Sequence, residues 1–226
     1  MVGIIIAMDK ELAPLVGMRK SEKTVSGGKE FYRFSIDGTE CVAVKSGIGK
    51  VNAAYAAAIL IREFAPEYLI STGVSGGLGK HNIFELVAAE KAVQYDSDTT
   101  ALGDPIGFVS TVNKVFFDAD EELTEIFVTA TGAKKTVLAC GDRFVADEKT
   151  QKFITETFGA GACDMESGAI AQIAYITDTP YVALRCISDG AGEGAELDFE
   201  KTTDKAAKIL AEAVVSGIKA VSDSRV

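Results

Sequence analysis

The sequence predicts an α/β fold: a single-domain, three-layer α/β/α arrangement with a mixed, mostly parallel, twisted central sheet. Short apolar runs rich in Val, Ile and Leu alternate with segments of helical periodicity, which is typical of a parallel sheet covered on both faces. The turn signal Asp37-Gly38 lies between two strand-like runs, and this hairpin makes the sheet mixed. No linker, low-complexity tract or internal repeat interrupts the chain, so we expect one domain over residues 1–226.

The predicted strands are short runs bounded by glycine or polar residues. Most are continuously apolar, as the buried strands of a parallel sheet are. The run at 31–36 alternates instead and ends at the two-residue turn, as the first strand of a hairpin does. The predicted strands are residues 3–7, 31–36, 41–44, 68–70, 84–93, 136–139 and 181–187.

Helical periodicity lies between these runs. In the segment 51–64, apolar residues recur every three or four positions, and Pro66 then ends the helix. Its many alanines favour close packing on the sheet. The predicted helices are residues 51–64, 113–130, 147–158, 165–177 and 199–221.

Charge and cysteine content limit the partners and the compartment. Lys and Arg total 23 and Asp and Glu 33, so the net charge of −10 argues against nucleic acid and anionic membrane surfaces as partners. No apolar run approaches the roughly 20 residues that span a bilayer. The four cysteines fit reduced thiols in or near the core of a cytoplasmic protein. The single histidine, His81, excludes a His-rich metal site.

Glycines and acidic residues gather directly after the predicted strands. In open α/β sheets, ligands bind beyond the carboxyl ends of the strands. We therefore expect these segments to line a substrate cleft. The segments are residues 8–11, 45–50, 72–77, 141–145 and 188–189.

Three nucleotide-binding or catalytic motifs are incomplete in these segments. Residues 46–50 look like the end of a P-loop, but the first glycine is missing and Val51 replaces the final Ser or Thr. Residues 73–77 fit a nucleophile elbow, yet a catalytic triad of that type needs a histidine late in the chain, and His81 comes too early. Gly47-Ile48-Gly49 lacks the third glycine of a dinucleotide fingerprint. A phosphate cradle, a serine hydrolase and a dinucleotide site are therefore not favoured.

Three carboxylates remain, without histidine or metal partners. Glu166 would share a helix face with Ile170 and Ile173, where an acid suggests a bound ligand, but a first-turn acid favoured by the helix dipole is an equally good interpretation. Asp189 follows an apolar strand and Glu11 lies near a helix start, and each alone is explained as a cap or turn residue. Their joint position at strand ends favours a catalytic site.

Four segments carry a resemblance to a known family. They read GIIIAMDKE from Gly3, KSGIGKV from Lys45, DMES from Asp164 and RCISD from Arg185. In this order and spacing they resemble the 5′-methylthioadenosine/S-adenosylhomocysteine nucleosidases of the nucleoside phosphorylase superfamily, from Gly3 to the last helix. The resemblance implies a nucleoside phosphorylase-like fold and hydrolysis of the N-glycosidic bond of these adenosine thioethers. It also implies a place in methionine salvage and removal of methyl-cycle by-products, with no metal or cofactor.

The resemblance also implies catalytic roles. Glu11 matches the residue that activates the attacking water, and Glu166 matches the carboxylate that grips the ribose hydroxyls. Asp189 matches the acid that protonates adenine N7, with Ser188 supporting it. Adenine is a poor leaving group as an anion, and its departure leaves an oxocarbenium-like ribose that a carboxylate stabilises. Direct attack by water with inversion is then expected.

Other positions match substrate-binding residues of the family. The resemblance implies one pocket with separate walls that contact the purine, the ribose and the 5′ substituent of the adenosine thioether. These positions are Phe144 and Val145 at adenine, Met165 at the ribose, Ile48 and Phe199 at the 5′ substituent, and Val74, Ser75 and Gly76 in the Gly-rich segment.

A loop from the other subunit completes this pocket in the family, so the resemblance implies a homodimer. Residues 95–103 match that loop, with Leu102 at its apolar tip. The chain departs from the family at Val74-Ser75, at Arg143 beside the adenine position, and at Leu102, where an aromatic residue is frequent. These departures leave the preferred 5′ group open.

Alternative functions stay open beside this one. A nucleoside phosphorylase would share the fold, but such enzymes carry arginines after the first strand and before the Gly-rich loop, where residues 8–11 and 71–72 have none. A purine-nucleoside binding module would keep the pocket and not need Asp189 or Glu11. An aminofutalosine nucleosidase would apply the same chemistry to another 5′ substituent.

Overall fold

Ten strands and six α-helices make up residues 1–17 and 19–225, the part of the chain that the computed structural model describes. The strands are β1 (Val2–Ile6), β2 (Glu22–Ser26), β3 (Lys29–Ile36), β4 (Thr39–Lys45), β5 (Tyr68–Gly76), β6 (Leu86–Gln94), β7 (Phe116–Asp118), β8 (Lys134–Cys140), β9 (Ala162–Asp164) and β10 (Tyr181–Asp189). The helices are α1 (Asp9–Val16), α2 (Lys50–Phe64), α3 (Glu121–Thr131), α4 (Glu148–Phe158), α5 (Ser167–Ile176) and α6 (Ala195–Ser224), and a 3₁₀ turn spans Thr100–Leu102.

The sheet has a helical layer on each face. Successive side chains of β1 point to opposite faces, so Ile4 and Ile6 join the core under α1, α3 and α6, while Ile5 joins the core under α2 and α5. All three are at most 2% exposed, and burying each such side chain contributes about 1.5–3 kcal/mol. The predicted three-layer α/β/α fold with a mixed sheet is confirmed.

The predicted strands and the predicted hairpin are present. β3 and β4 pair antiparallel, and Asp37 and Gly38 between them have φ of 46° and 84°, as a two-residue turn with left-handed residues requires. β5 continues to Gly76, well past its predicted end at residue 70. The Gly-rich segment is therefore held by sheet pairing, and it carries its residues rigidly into the cleft described below.

The predicted helix at 113–130 is wrong in its first half. There the chain forms the short strand β7 along β6, and α3 begins only at Glu121. Asp120 sets this start, because its side chain accepts the backbone N–H of Leu123 at 2.9 Å as the N-cap. Phe117 of β7 is 1% exposed, and its ring meets that of Tyr175 on α5 edge-on at 5.8 Å. The strands β2 and β9 were not predicted.

One end of the sheet closes on itself. β10 pairs with β5 on one side and β6 on the other, β6 pairs with β8, β8 with β9, and β9 with β5. These five strands form a closed ring, and β1, β4, β3 and β2 extend from β5 as an open sheet. Five of the ten strand pairings in the described residues are antiparallel, a larger share than the single predicted hairpin supplies.

The cysteines Cys41, Cys140, Cys163 and Cys186 are buried free thiols, as the sequence predicts. Burial raises the pKa of Cys41 and of Cys186 to about 12, so these two thiols stay protonated at neutral pH. Within residues 1–17 and 19–225, none of the helices combines the length and hydropathy of a membrane span.

Candidate active site

A cleft lies beyond the carboxyl ends of β1, β5 and β10, as predicted for an α/β sheet. It encloses ≈ 600 Å³, counting the space open to solvent at its mouth. It brings together every site residue predicted from the sequence except Leu102. The predicted residues that line it are Glu11, Ile48, Val74, Ser75, Gly76, Phe144, Val145, Met165, Glu166, Ser188, Asp189 and Phe199.

Glu11 reaches the cleft from the first turn of α1. Its Oε2 accepts the N–H of Met8 at 2.9 Å, and its Oε1 accepts the N–H of Val74 at 2.8 Å. Burial raises the pKa of Glu11, although the two N–H donors and the charge of Arg185 oppose the rise. Gly73 leaves room for the carboxyl, because a Cβ there would lie 2.9 Å from Oε1. Glu11 is therefore fixed in place and more basic than an exposed glutamate.

Glu166 lies between β9 and α5, one residue before the helix begins. The interpretation that places it on a helix face with Ile170 and Ile173 is therefore wrong. Its Oε1 accepts the N–H of Gly49 at 2.8 Å, which ties it to the loop before α2. Burial, followed by the negative charge of Asp164, raises the pKa of Glu166 to about 7.

Asp189 is the last residue of β10. A register shift at Ser188 makes a bulge against β5, and bulges often re-aim side chains beside functional sites. The Ser188 hydroxyl donates to Asp189 Oδ2 at 2.8 Å, and the N–H of Ala191 donates to Oδ1 at 2.9 Å. Burial raises the pKa of Asp189, and the charge of Asp198 adds to the rise, while both hydrogen bonds oppose it. Its protonated form therefore persists to higher pH than that of an exposed aspartate.

A buried ion pair beside the carboxylates was not predicted from the sequence. Arg185 Nε donates to Asp164 Oδ2 at 2.8 Å, and its Nη2 lies 2.8 Å from the same oxygen and donates to Ser71 Oγ at 2.9 Å. Asp164 Oδ1 accepts the Ser167 N–H at 3.0 Å, which fixes the start of α5. The sequence does contain one indication of this pair: Arg185 lies at the centre of the apolar strand β10, and a buried guanidinium requires a buried partner.

Aromatic side chains form the outer wall of the cleft. The rings of Phe144 and Phe199 meet edge to face with centroids 5.6 Å apart, a favourable arrangement for an aromatic pair. Ile48 beside them is 52% exposed. Arg143 also lines the cleft, and its Nη2 donates a hydrogen bond to Asp147 Oδ2 at 2.7 Å. Among the described residues it is the only basic side chain that lines the cleft, so the cleft suits a planar apolar ligand better than a phosphate.

Leu102 does not line the cleft of its own chain. It ends the 3₁₀ turn Thr100–Leu102, which Gly103 closes with φ of 92°. Thr99 Oγ1 donates to Asp104 Oδ2 at 2.8 Å across the base of this turn. The Leu102 side chain is 82% exposed and points its apolar surface to solvent.

The three carboxyls can carry out different chemistry because their surroundings differ. Burial raises the pKa of Asp189, which suits a proton donor, and the Ser188 hydroxyl fixes the orientation of its carboxyl. Glu11 is held by two backbone donors, which suits a base of fixed position. Glu166 is held through one oxygen, and within residues 1–17 and 19–225 the other makes no hydrogen bond, so it can accept hydrogen bonds from a ligand.

Sequence comparison identifies relatives along almost the whole chain. Residues 1–219 match the Phosphorylase superfamily. The 5′-methylthioadenosine/S-adenosylhomocysteine nucleosidase of Geobacillus kaustophilus is 38% identical over 98% of this chain and 98% of its own. The aminodeoxyfutalosine nucleosidase of Campylobacter jejuni is 35% identical over 95% of this chain and 96% of its own.

Solved structures agree with these relatives. The 5′-methylthioadenosine/S-adenosylhomocysteine nucleosidase of Neisseria meningitidis, in complex with methylthio-immucillin-A, has a TM-score of 0.92 and 34% identity, covering 96% of this chain and 98% of that one. The corresponding nucleosidase of Helicobacter pylori has a TM-score of 0.93 and 28% identity, covering 96% of this chain and 97% of that one. The chain therefore belongs to the phosphorylase superfamily and, within it, to the 5′-methylthioadenosine/S-adenosylhomocysteine nucleosidases, which are N-glycosidic hydrolases.

Proposed function

We propose that the chain hydrolyses the N-glycosidic bond of 5′-methylthioadenosine and S-adenosylhomocysteine, releasing adenine and the 5′-thio-substituted ribose. The observation that carries this proposal is a single cleft lined by three carboxyls of raised pKa, those of Glu11, Glu166 and Asp189. Groups of this kind cluster at catalytic sites. Relatives that are named for this activity support the choice of substrates.

Asp189 supplies the proton that adenine needs in order to leave. The proton passes to N7, the bond between C1′ and N9 breaks, and adenine departs as a neutral molecule. The raised pKa of Asp189 supports this role, since an acid must still hold its proton near the working pH. The Ser188 hydroxyl supports it by fixing the orientation of the carboxyl.

Glu166 stabilises the cationic ribose left behind. One of its oxygens accepts the Gly49 N–H, and the other accepts hydrogen bonds from the 2′ and 3′ hydroxyls of the substrate. A carboxylate held close to the ribose favours the developing positive charge more than the neutral substrate.

Glu11 completes the hydrolysis. It accepts a proton from a water molecule whose oxygen bonds to C1′, so that the products are adenine and the free 5′-thioribose with inverted configuration. The Ser75 hydroxyl lines the cleft and is buried without a partner among the described residues, which makes it available to the ribose or the water.

The proposal is tested by the phosphate dependence of adenine release. We expect the purified protein to release adenine from 5′-methylthioadenosine at the same rate with and without phosphate, and to form free thioribose. A strict requirement for phosphate, with 5-methylthioribose 1-phosphate as the product, would identify a phosphorylase instead. A nucleoside that binds but releases no adenine would identify a binding module.

A second candidate substrate is an aminofutalosine, because a relative with 35% identity is an aminodeoxyfutalosine nucleosidase. The three carboxyls would perform the same chemistry on it, since the bond that breaks is the same. The exposed side chain of Ile48, which is matched to the 5′ substituent, leaves that end of the cleft open to a larger group. Comparing kcat/KM across 5′-methylthio, S-homocysteinyl and aminofutalosine substrates separates the two candidates.

We also propose that the chain acts as a homodimer in which the Leu102 loop enters the partner's site. Leu102, Val51 and Ile48 are 82%, 80% and 52% exposed, and Ile48 lies at the cleft, so apolar surface is available for a partner beside the site.

The buried free thiols support a reducing, cytoplasmic location. Recycling of the thioribose would place the reaction in methionine salvage.

A further inference from the structure

We propose that Lys50, Asp96 and Asp142 form a positioning network that holds the Gly49 N–H against Glu166 and thereby sets the grip on the ribose. This proposal rests on the proposed function, because it assigns the network to the ribose-binding carboxylate. Lys50 begins α2, Asp96 follows β6 and Asp142 follows β8, so the three residues meet only in the folded chain.

The network is closed by four hydrogen bonds. Asp142 Oδ1 accepts the backbone N–H of Lys50 at 2.7 Å, and Lys50 Nζ donates to Asp96 Oδ1 at 2.6 Å. Asp96 Oδ2 in turn accepts the backbone N–H of Asp142 at 2.9 Å. The Gly49 N–H, one residue before Lys50, donates to Glu166 Oε1 at 2.8 Å. Lys50, Asp96 and Asp142 thus form a closed ring of three hydrogen bonds. Gly49, bonded to Lys50 through the chain, connects this ring to Glu166.

Gly49 transmits this constraint through its backbone. Its φ of 97° is a conformation that favours glycine, and a Cβ on it would lie 3.0 Å from Asp142 Oδ1. Asp142 therefore packs directly against the peptide that contacts Glu166. If the Asp142 carboxyl is removed, the Lys50 N–H loses its acceptor and the Gly49 peptide is free to rotate away.

Asp96 connects the network to the proposed partner-binding loop. It lies just after β6, and the chain continues from it to Leu102. The side chains of Lys50 and Asp96 are only 19% and 30% exposed, so their ion pair is better shielded than a fully exposed one. A partner that contacts the Leu102 loop would thus act on Glu166 through Asp96 and Lys50.

The test compares ligands with and without a ribose. We expect Asp142→Ala to lower kcat/KM for 5′-methylthioadenosine by at least about tenfold, because small displacements of a positioned group have large effects on rate. The inhibition constant of adenine, which has no ribose, should stay unchanged. Asp142→Asn keeps an oxygen acceptor for the Lys50 N–H and should restore most of the activity.

The pH profile gives a second readout that a merely structural role would not move. The Gly49 N–H lowers the pKa of Glu166, so its displacement in Asp142→Ala should shift the acidic limb of kcat/KM to higher pH. The charged groups Asp164, Arg185 and Glu11, which also act on Glu166, are untouched by the change.

Two further variants keep the test decisive. Lys50→Met breaks the side-chain contact with Asp96 but keeps the backbone N–H at position 50 that Asp142 accepts, and should give a smaller loss in the same direction. Asp118→Ala removes a longer and more exposed aspartate–lysine contact outside the cleft, to Lys114 at 3.5 Å, and should behave as wild type. Unchanged kcat/KM in Asp142→Ala and Lys50→Met, or an equal loss of adenine binding, would overturn the network. A wild-type protein that releases no adenine would overturn the proposed function instead.

Discussion

An asparagine in place of Asp189 can keep both hydrogen bonds of this side chain, but it has no acidic proton to donate. In the Asp189→Asn variant, the side-chain oxygen would still accept the Ala191 N–H, and the amide nitrogen would donate to the Ser188 hydroxyl. We expect Asp189→Asn to keep the fold and much of the nucleoside affinity while kcat falls by about 10²–10⁴-fold, the usual contribution of a general acid. Steady-state kinetics and thermal unfolding of the same preparation check this.

A turn role for Asp189 makes the opposite prediction. An asparagine is as good a cap or turn residue as an aspartate, so kcat would then barely change. Near wild-type turnover in Asp189→Asn would therefore remove Asp189 from the mechanism, whatever the family.

Glu166 should control the acidic side of the pH–activity profile. It must be ionised to accept hydrogen bonds from the ribose, and its pKa is raised to about 7. Activity should therefore fall as the pH drops through about 7. Glu166→Gln should abolish the acidic limb along with most of the activity. An acidic limb that is unchanged in Glu166→Gln would assign it to another group.

Single residues were predictable where a chemical anomaly stood out in the sequence. Acids at the ends of apolar strands pointed to Glu11 and Asp189, and both line the cleft. The ion pair of Arg185 and Asp164 was missed because a pair 21 residues apart in sequence becomes recognisable only when β9 and β10 are placed in one sheet. The hydrogen bond from Gly49 to Glu166 joins residues 117 positions apart, so it too can be recognised only in the folded chain.

The packing of α6 on α3 depends on the absence of a side chain at Gly217. A Cβ there would lie 2.3 Å from Cε1 of Phe127, whose ring is fully buried. We expect Gly217→Ala to destabilise the protein by about 1–3 kcal/mol through overpacking. Denaturant unfolding measures this, and Ser216→Ala, one residue away and pointing to solvent, is the matched control. Equal stability of both variants would show that α6 can shift at no cost.

Elements were predictable where periodicity and end signals agreed. α2 and the β3–β4 hairpin carry both, and both are present. The helix predicted at 113–130 is wrong in its first half because Phe116 and Phe117 fit either periodicity, and the helix has its N-cap only at Asp120. The strand β9, with three residues, is too short to carry a period and is held in place by pairing with β8 and β5.

The complete site, as proposed, needs two copies of the chain. Leu102→Asp should lower activity by placing a charge in the partner's apolar pocket, although the carboxyls of that pocket are intact. Mixing Leu102→Asp with Asp189→Asn under conditions of subunit exchange should then produce activity above that of either variant. In the mixed dimer, one site combines intact carboxyls with an intact loop from the other chain.

The matched control for this mixture is Val25→Asp, which changes an equally apolar residue, 66% exposed, on β2 at the far edge of the sheet. It should be fully active by itself. Full activity of Leu102→Asp alone, or no gain on mixing once subunit exchange has been established, would contradict a shared site.

Ring closure also governs the order of events when the chain refolds. Tyr181 of β10 pairs with Leu69 of β5, 112 positions earlier in the sequence, and contacts between such distant segments form slowly because the intervening chain must first be ordered. Asp189 ends one strand of this ring, β10, and Glu166 follows another, β9. Helical circular dichroism should therefore recover in an early phase, and adenine release should return only in the last one.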